Sequence, residues 1–169
     1  MKRSECQLIS FLQKRKTQKK VVIIAHGYKG NGETMSSYAK MFYEMGFNVL
    51  LPDDRGHGQS MGEYISFGWL DRLDYLQWLK KIIKRVGPKS EILLFGVSMG
   101  ASTVEMLSGE DLPSQVKCVI ADCGYSSINE EMTFFIETSL SSSQVPFLST
   151  GEHDQSLSFG ILSRRCFFG

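Results

Sequence analysis

The order of apolar and polar residues along the chain switches repeatedly between the period of a strand and that of a helix. Residues 21–25 (VVIIA) form an uninterrupted, largely β-branched run, as expected for a strand buried on both faces of a sheet. Three further short apolar runs have the length of strands and predict β structure at residues 47–51, 92–95 and 116–121.

Between these predicted strands, apolar residues recur every three or four positions, the spacing of an amphipathic helix. Gly46 ends the first such segment and the pair Gly87-Pro88 ends the second. The predicted helices occupy residues 35–45, 69–86 and 99–107. Because strands and helices alternate, the sequence predicts an α/β fold, with a mostly parallel sheet flanked by helices.

The two ends of the chain lack this regular pattern. The 169 residues fit one domain, and 42% of them are hydrophobic, enough to bury a sizeable core. We therefore interpret residues 1–169 as a single domain with a weakly patterned segment at 1–20. Residues 139–169 are atypical, because a serine-rich run is followed by a segment without a clear period. We expect the C-terminal part of the fold to be incomplete.

Composition and charge exclude several classes of function. A net charge of +1 gives no electrostatic reason to expect nucleic acid or a membrane surface as partner. The basic residues between positions 14 and 20 are interpreted as a solvated loop. The four cysteines lack metal-ligand spacing, so we expect free thiols, no metal and no cofactor. With no signal peptide or membrane-spanning run, a soluble, cytoplasmic protein is expected.

The most specific chemical signal is the sequence GVSMG at residues 96–100, which matches the pattern G-x-S-x-G. It stands between a predicted strand and a predicted helix, the context in which such a serine is lifted on a tight turn. The glycines suit that turn because side chains would collide across it. The pattern predicts Ser98 as a nucleophile, although a flexible glycine-rich turn would give the same three fixed positions.

A second signal is HGY at residues 26–28, directly after the first buried strand. An acyl-transfer enzyme needs backbone N–H groups aimed at the oxygen that becomes negative in the transition state. We expect these N–H groups to come from Met99, which follows the serine, and from Tyr28. His26 is then a loop-shaping residue, and the alternative that it is the base remains open.

The loop at residues 53–60 (DDRGHGQS) contains two acids and a histidine, which alone could suggest a phosphate or metal site. It lacks the Lys-Ser/Thr ending of a phosphate-binding loop, and two adjacent aspartates do not easily face one ion. We interpret it as a turn network in which Arg55 and His57 bond to neighbouring backbone.

Taken together, these motifs resemble the α/β-hydrolase superfamily, and most closely bacterial serine hydrolases of the serine-aminopeptidase and esterase-like group. The resemblance implies that Ser98 is the nucleophile, that Tyr28 and Met99 form the oxyanion hole, and that the Arg-Gly-His-Gly loop is structural. It spans about residues 21–129, and its motifs are VVIIAHGYKGNG, LPDDRGHGQSMG, FGWLDRLDYLQWL, FGVSMGAS and ADCGYSS.

The downstream part of the chain departs from that family. The family continues with a lid, a strand that ends in the catalytic acid, and a last loop that carries the histidine. Residues 145–154 (VPFLSTGEHD) look somewhat like the acid strand, which makes Asp154 the candidate acid. His153 is the one histidine after Ser98, and as candidate base it could use Asp122 as an alternative acid. The competing interpretation is a truncated or frame-shifted hydrolase.

The resulting functional hypothesis is a serine hydrolase of small acyl esters, amides or peptides, impaired as this chain. The alternative is a non-catalytic remnant or binding domain with the same fold. A haloperoxidase or transferase built on the same core would share these residues. Missing strands would leave a sheet edge uncovered, which makes an oligomer through that edge a further expectation.

Overall fold

A computed structural model describes residues 8–12 and 19–141 of the chain. Five strands form one sheet in the order β1-β3-β2-β4-β5. Strands β2 to β5 run parallel to one another, and β1 pairs antiparallel with β3 at one side. Their bounds are β1 Leu8–Leu12, β2 Lys20–Ala25, β3 Asn48–Pro52, β4 Glu91–Val97 and β5 Val116–Asp122.

Four helices connect and follow the strands. A short 3-10 helix, Gly32–Met35, leads into the first of them. The helices are α1 Ser36–Glu44, α2 Asp71–Val86, α3 Met99–Ser108 and α4 Ile128–Ser141. The predicted α/β class, the four parallel strands and the first three helices are confirmed, with bounds that shift by one or two residues.

Two elements were not predicted. β1 lies inside the segment of residues 1–20 that was expected to be weakly patterned. The sequence did not predict this strand because its five residues form an isolated run beside a basic cluster. α4 continues to Ser141, past the point at which the sequence pattern fails. β1 is a short edge strand that pairs with β3, whereas α4 is a helix of 14 residues whose described side chains are mostly exposed.

The core has two halves, one on each face of the sheet. Val22 and Ile24 face α1, whereas Ile23 and Ala25 face α2 and α3. All four side chains are fully buried, which explains why β2 reads as continuous apolar sequence rather than as an alternation. Because β2 and β4 are central, the loops that leave their carboxyl ends meet at one edge of the sheet, where ligands bind in open α/β folds.

No helix among residues 8–12 and 19–141 is long and apolar enough to cross a membrane.

Candidate functional site

Ser98 stands alone between β4 and α3, on a turn with a strained backbone. Its φ of 54° and ψ of −119° lie in a backbone region that residues other than glycine rarely adopt. A Cβ on Gly96 would lie 2.1 Å from the Gly100 carbonyl oxygen, and one on Gly100 would lie 2.3 Å from the carbonyl oxygen of Ala25. The two glycines therefore let the start of α3 pack directly on β4 and β2.

Backbone hydrogen bonds hold Ser98 in this conformation. Its N–H donates to the carbonyl of Asp122 at 2.9 Å, and its carbonyl accepts from Ser102 N–H at 3.1 Å. Ser102 in turn bonds through its hydroxyl to the N–H and carbonyl of Tyr125. The turn is thus fixed to the end of β5 and to the loop that follows, while the Ser98 side chain is half-buried.

The loop after β2 lies against Ser98. A Cβ on Gly27 would be 3.5 Å from Ser98 Cβ and 4.0 Å from Ser98 Oγ, so the absence of that side chain leaves space beside the hydroxyl. Tyr28 follows in the same loop and is 40% exposed. Met99 is the first residue of α3, and the N–H groups of a first helical turn have no partner within the helix. The loop that carries Tyr28 thus approaches Ser98 at Gly27, and Met99 directly follows Ser98 at the start of α3.

His26 holds the base of this loop and is fully buried. Its Nε2 accepts a hydrogen bond from Asp54 N–H at 3.0 Å, which leaves Nδ1 to donate to the Gly27 carbonyl at 2.8 Å. Burial lowers the pKa of His26 and so favours the neutral ring that these two bonds require. The predicted loop-shaping role of His26 agrees with this geometry.

His57 is bonded in a similar way. Its Nε2 accepts from Lys29 N–H at 3.3 Å, and its Nδ1 donates to the Arg55 carbonyl at 3.2 Å. Its ring packs edge-on against that of His26, with centroids 4.9 Å apart. Within residues 8–12 and 19–141, neither histidine hydrogen-bonds to Ser98.

Arg55 differs from the sequence prediction, which gave it backbone partners. Its guanidinium instead lies 2.7 Å and 2.8 Å from Asp74 Oδ2, through Nη2 and Nε, and 3.9 Å from Asp71 Oδ1. The two acids belong to the first turn of α2, so Arg55 ties the loop after β3 to that helix. The sequence did not show this because α2 is 16 positions along the chain from Arg55.

The adjacent aspartates of the same loop have separate partners. Asp53 accepts backbone N–H groups from Gly32 at 2.8 Å and Gln59 at 2.7 Å. Asp54 accepts the hydroxyl of Tyr75 at 2.8 Å. Complete burial, followed by the charge of Asp71, raises the pKa of the Asp54 carboxyl well above its ordinary value. These bonds connect the loops after β2 and β3 to each other and to α2.

Aromatic residues beside the Tyr28 loop were missed by the sequence analysis as site residues. The ring of Phe67 stacks on that of Tyr28, with centroids 5.4 Å apart and planes inclined by 24°. Phe67 has a φ of 49°, and its carbonyl accepts the hydroxyl of Tyr125 at 2.8 Å. Burial raises the pKa of that Tyr125 hydroxyl to about 12. No local sequence signal distinguishes such residues from ordinary loop aromatics.

His153 and Asp154, the predicted base and acid, lie outside the described residues. Asp122, the alternative acid, ends β5, and its Oδ1 accepts from the Cys123 thiol at 3.3 Å. Its backbone carbonyl is the acceptor for Ser98 N–H.

Comparison with known families gives one match that covers most of the chain. The family described as serine aminopeptidase, S33, matches residues 16–158. Among curated proteins, uncharacterized protein YqkD of Bacillus subtilis is 30% identical over 113 residues, and YfhR of Escherichia coli O157:H7 is 29% identical over 106 residues. These matches cover 67% and 63% of this chain, and the chain spans 37% of the length of either relative.

Solved structures give the same fold. The Pyrococcus furiosus esterase Pf2001 is 25% identical with a TM-score of 0.63, over 79% of this chain and 59% of that one. A lipase-esterase related protein from Clostridium acetobutylicum is 22% identical with a TM-score of 0.65, over 83% of this chain and 55% of that one. A monoacylglycerol lipase of Paleococcus ferrophilus is 21% identical with a TM-score of 0.58, over 79% of this chain and 50% of that one.

Replacing Gly100 by Ala tests the close approach of α3 to β2. The new methyl group would lie 2.3 Å from the Ala25 carbonyl oxygen, so the free energy of unfolding should fall by about 1–3 kcal/mol. The matched control is Gly109→Ala, whose Cβ would meet no atom closer than 3.4 Å. Urea denaturation should show little change or a slight gain for this control. Equal effects of the two substitutions would contradict the packing described.

Replacing Asp54 by Asn tests the buried carboxyl. Because its pKa is raised in the folded state, the native protein binds this proton more tightly than the unfolded chain. The stabilisation that protonation of Asp54 gives to the folded state is complete below the ordinary pKa of 3.8 and is lost as the pH rises through the folded-state pKa. Unfolding free energies measured across a pH series should therefore decline with pH more steeply for the wild type than for Asp54→Asn. The exposed Asp111→Asn should retain the wild-type slope.

Proposed function

The chain belongs to the serine aminopeptidase (S33) family of α/β-hydrolases, and we propose that it contributes the nucleophile of a hydrolase of carboxylic esters or amides. The observation that carries the proposal is the position of Ser98, alone on a strained strand-to-helix turn with its hydroxyl beside Gly27. Strained backbone of this kind persists where the surrounding structure enforces it, and such positions cluster at functional sites.

In the proposed reaction, Ser98 Oγ attacks the carbonyl carbon of the substrate and forms an acyl-enzyme while the alcohol or amine leaves. Water then hydrolyses the acyl-enzyme. The carbonyl oxygen becomes negative as each tetrahedral intermediate forms. The N–H groups of Tyr28 and Met99 are proposed to bind that oxygen, since Tyr28 follows Gly27, which lies close to Ser98, and Met99 directly follows Ser98. The start of α3 adds the positive end of the helix dipole.

The proton acceptor must be a group other than His26 and His57. Each of these rings already uses one nitrogen as donor and the other as acceptor in loop hydrogen bonds. His153 is the third histidine of the sequence and is the proposed base, with Asp154 or Asp122 as the acid that orients it. The alternative is a non-catalytic domain with this fold.

Labelling with a fluorophosphonate probe tests Ser98 directly. The wild-type protein should form a covalent adduct that intact mass spectrometry assigns to Ser98, and Ser98→Ala should form none. Ser102→Ala is the matched control, because it lies one helical turn away and its hydroxyl is bonded to Tyr125. Equal labelling of the wild type and Ser98→Ala, or labelling of neither, would contradict an activated Ser98.

Hydrolysis of p-nitrophenyl acetate separates the enzyme from the non-catalytic alternative. Turnover should require Ser98, and His153→Ala should lower kcat by several orders of magnitude if that histidine is the base. His57→Ala serves as a control for general disturbance of the loops. No Ser98-dependent turnover in the wild type would favour the non-catalytic domain.

Removing the N–H of Tyr28 tests the oxyanion hole. Tyr28→Pro lacks that donor, and kcat for p-nitrophenyl acetate should fall by about 10²–10³-fold. Tyr28→Phe keeps the backbone donor and the ring that stacks on Phe67, so kcat should stay within a few-fold of the wild type. A similar kcat for the two variants, at unchanged melting temperature, would exclude Tyr28 as the donor.

A further inference from the structure

A pocket of about 360 Å³ opens beside the Tyr28 loop, within the size range of small-molecule sites. Tyr28 forms one wall of this pocket, and Gly27, the residue before it, lies against Ser98. The pocket therefore shares the loop of residues 27–28 with Ser98, which is not itself part of the lining. Most of its lining comes from the loop after β3, namely Gly56, Gly62, Glu63, Tyr64, Ile65 and Phe67.

The aromatic wall is held in place before any ligand binds. Phe67 has a φ of 49°, and the following Gly68 has a φ of 91° and donates its N–H to Asp71 at 2.9 Å. The hydroxyl of Tyr125 bonds to the Phe67 carbonyl, and the Phe67 ring stacks on that of Tyr28. A bulky residue in the left-handed region is uncommon, so this backbone fixes the Phe67 ring at the cost of local strain.

Two glycines of the pocket lining, Gly56 and Gly62, pack closely on each other. A Cβ on Gly62 would lie 2.6 Å from Gly56 N, and Gly56 N–H donates to the Met61 carbonyl at 3.4 Å. Arg55, next to Gly56, is anchored to α2 by its contacts with Asp74. The loop is thus closed on itself and tied to the helix.

The pocket lining carries one charged side chain, the carboxylate of Glu63. This side chain is exposed, as is the neighbouring ring of Tyr64, which is 63% exposed. Lys29 lies over the Tyr28 ring, 5.3 Å from its centroid, but does not line the cavity. Apolar and aromatic walls with a carboxylate at the opening accommodate uncharged ring-bearing groups and repel anionic ones.

We propose that this pocket is a specificity subsite for an uncharged aryl or arylalkyl group next to the scissile carbonyl, and that Glu63 excludes substrates that carry a carboxylate there. The inference rests on the proposed function, because it takes Ser98 as the reacting group. It adds the substrate class, which neither the turn at Ser98 nor the family match specifies.

Binding to the full chain with Ser98→Ala tests the subsite without any turnover. Ligand-observed NMR should give a lower Kd for phenylacetamide than for succinamate, which carries a carboxymethyl group in place of the ring. Adding Phe67→Gly should weaken phenylacetamide binding by about 10-fold, because the ring is lost. Glycine adopts the positive φ of this position without strain, so the fold should be retained.

Two further variants make the test specific. Trp69→Ala removes an exposed aromatic ring that is close in sequence but outside the pocket lining, and it should leave the Kd of phenylacetamide unchanged. Glu63→Gln should lower the Kd of succinamate and leave that of phenylacetamide nearly unchanged. Tyr64→Ala, which alters a second wall, should weaken phenylacetamide binding in the same direction as Phe67→Gly.

The outcomes separate this inference from the proposed function. Equal Kd values for the two ligands, or loss of binding with Trp69→Ala but not Phe67→Gly, would overturn the subsite whatever the probe labelling shows. Phe67-dependent binding together with no labelling of Ser98 would retain the subsite and reject the hydrolase. Where Ser98-dependent turnover is present, kcat/KM for p-nitrophenyl phenylacetate should fall in Phe67→Gly more than kcat/KM for the acetate ester.

Discussion

The contact between the start of α3 and the end of β2 sets the geometry of everything at this edge of the sheet. The Ala25 carbonyl leaves no room for a side chain on Gly100, and the Gly100 carbonyl leaves none on Gly96. Backbone therefore packs on backbone, and the one residue between β4 and α3 must take up the change of direction. That residue is Ser98, whose strained φ and ψ follow from this packing. Gly27 lies so near to Ser98 that a Cβ on it would be in van der Waals contact with the serine.

A buried polar network supports the loops that surround this turn. His26 joins the loop after β2 to the loop after β3, and Asp54 joins the second loop to Tyr75 on α2. Unsatisfied polar groups are costly at such depth, so each loop conformation depends on the others being formed. The raised pKa of Asp54 and the lowered pKa of His26 have one cause, since burial disfavours the charged form of either group. The hydrogen bonds of this network are best satisfied when both residues are neutral. The two side chains therefore suit a structural role in the loops rather than proton transfer.

Local sequence patterns predicted the elements of the sheet and the turn at Ser98, because each has a signal contained in a few adjacent residues. Continuous apolar runs indicate buried parallel strands, and small residues at fixed offsets indicate a tight turn. β1 gave no such signal, and its place in the sheet comes from its antiparallel pairing with β3. The side-chain partner of Arg55 was likewise not predicted, because Asp74 becomes its neighbour only when α2 packs against the loop.

Strain at the site shows a further limit of sequence patterns. Four non-glycine residues of the described chain have positive φ, namely Lys29, Phe67, Ser98 and Cys123. Motif knowledge predicts this conformation for Ser98 alone. The other three owe it to tertiary packing, as at Phe67, where Tyr125 holds the carbonyl and Tyr28 holds the ring. The features that would decide which substrate the site accepts are therefore the ones that the folded chain creates.

The two described histidines limit how the site can work. A histidine that acts as the general base must have a ring nitrogen free to accept a proton from Ser98 Oγ. If His26 were to turn toward the serine, the Asp54 N–H would lose its acceptor and the loop after β3 would lose its link to β2. If His57 were to turn, the Lys29 N–H would lose its acceptor and the Arg55 carbonyl would lose its donor. Either movement would disturb the loop that carries Tyr28, so the hydrogen bonds that hold this loop oppose the use of either histidine as a base. The proposed nucleophile and oxyanion donors all precede Asp122 in the chain, and the proposed proton acceptor, His153, belongs to a separate segment.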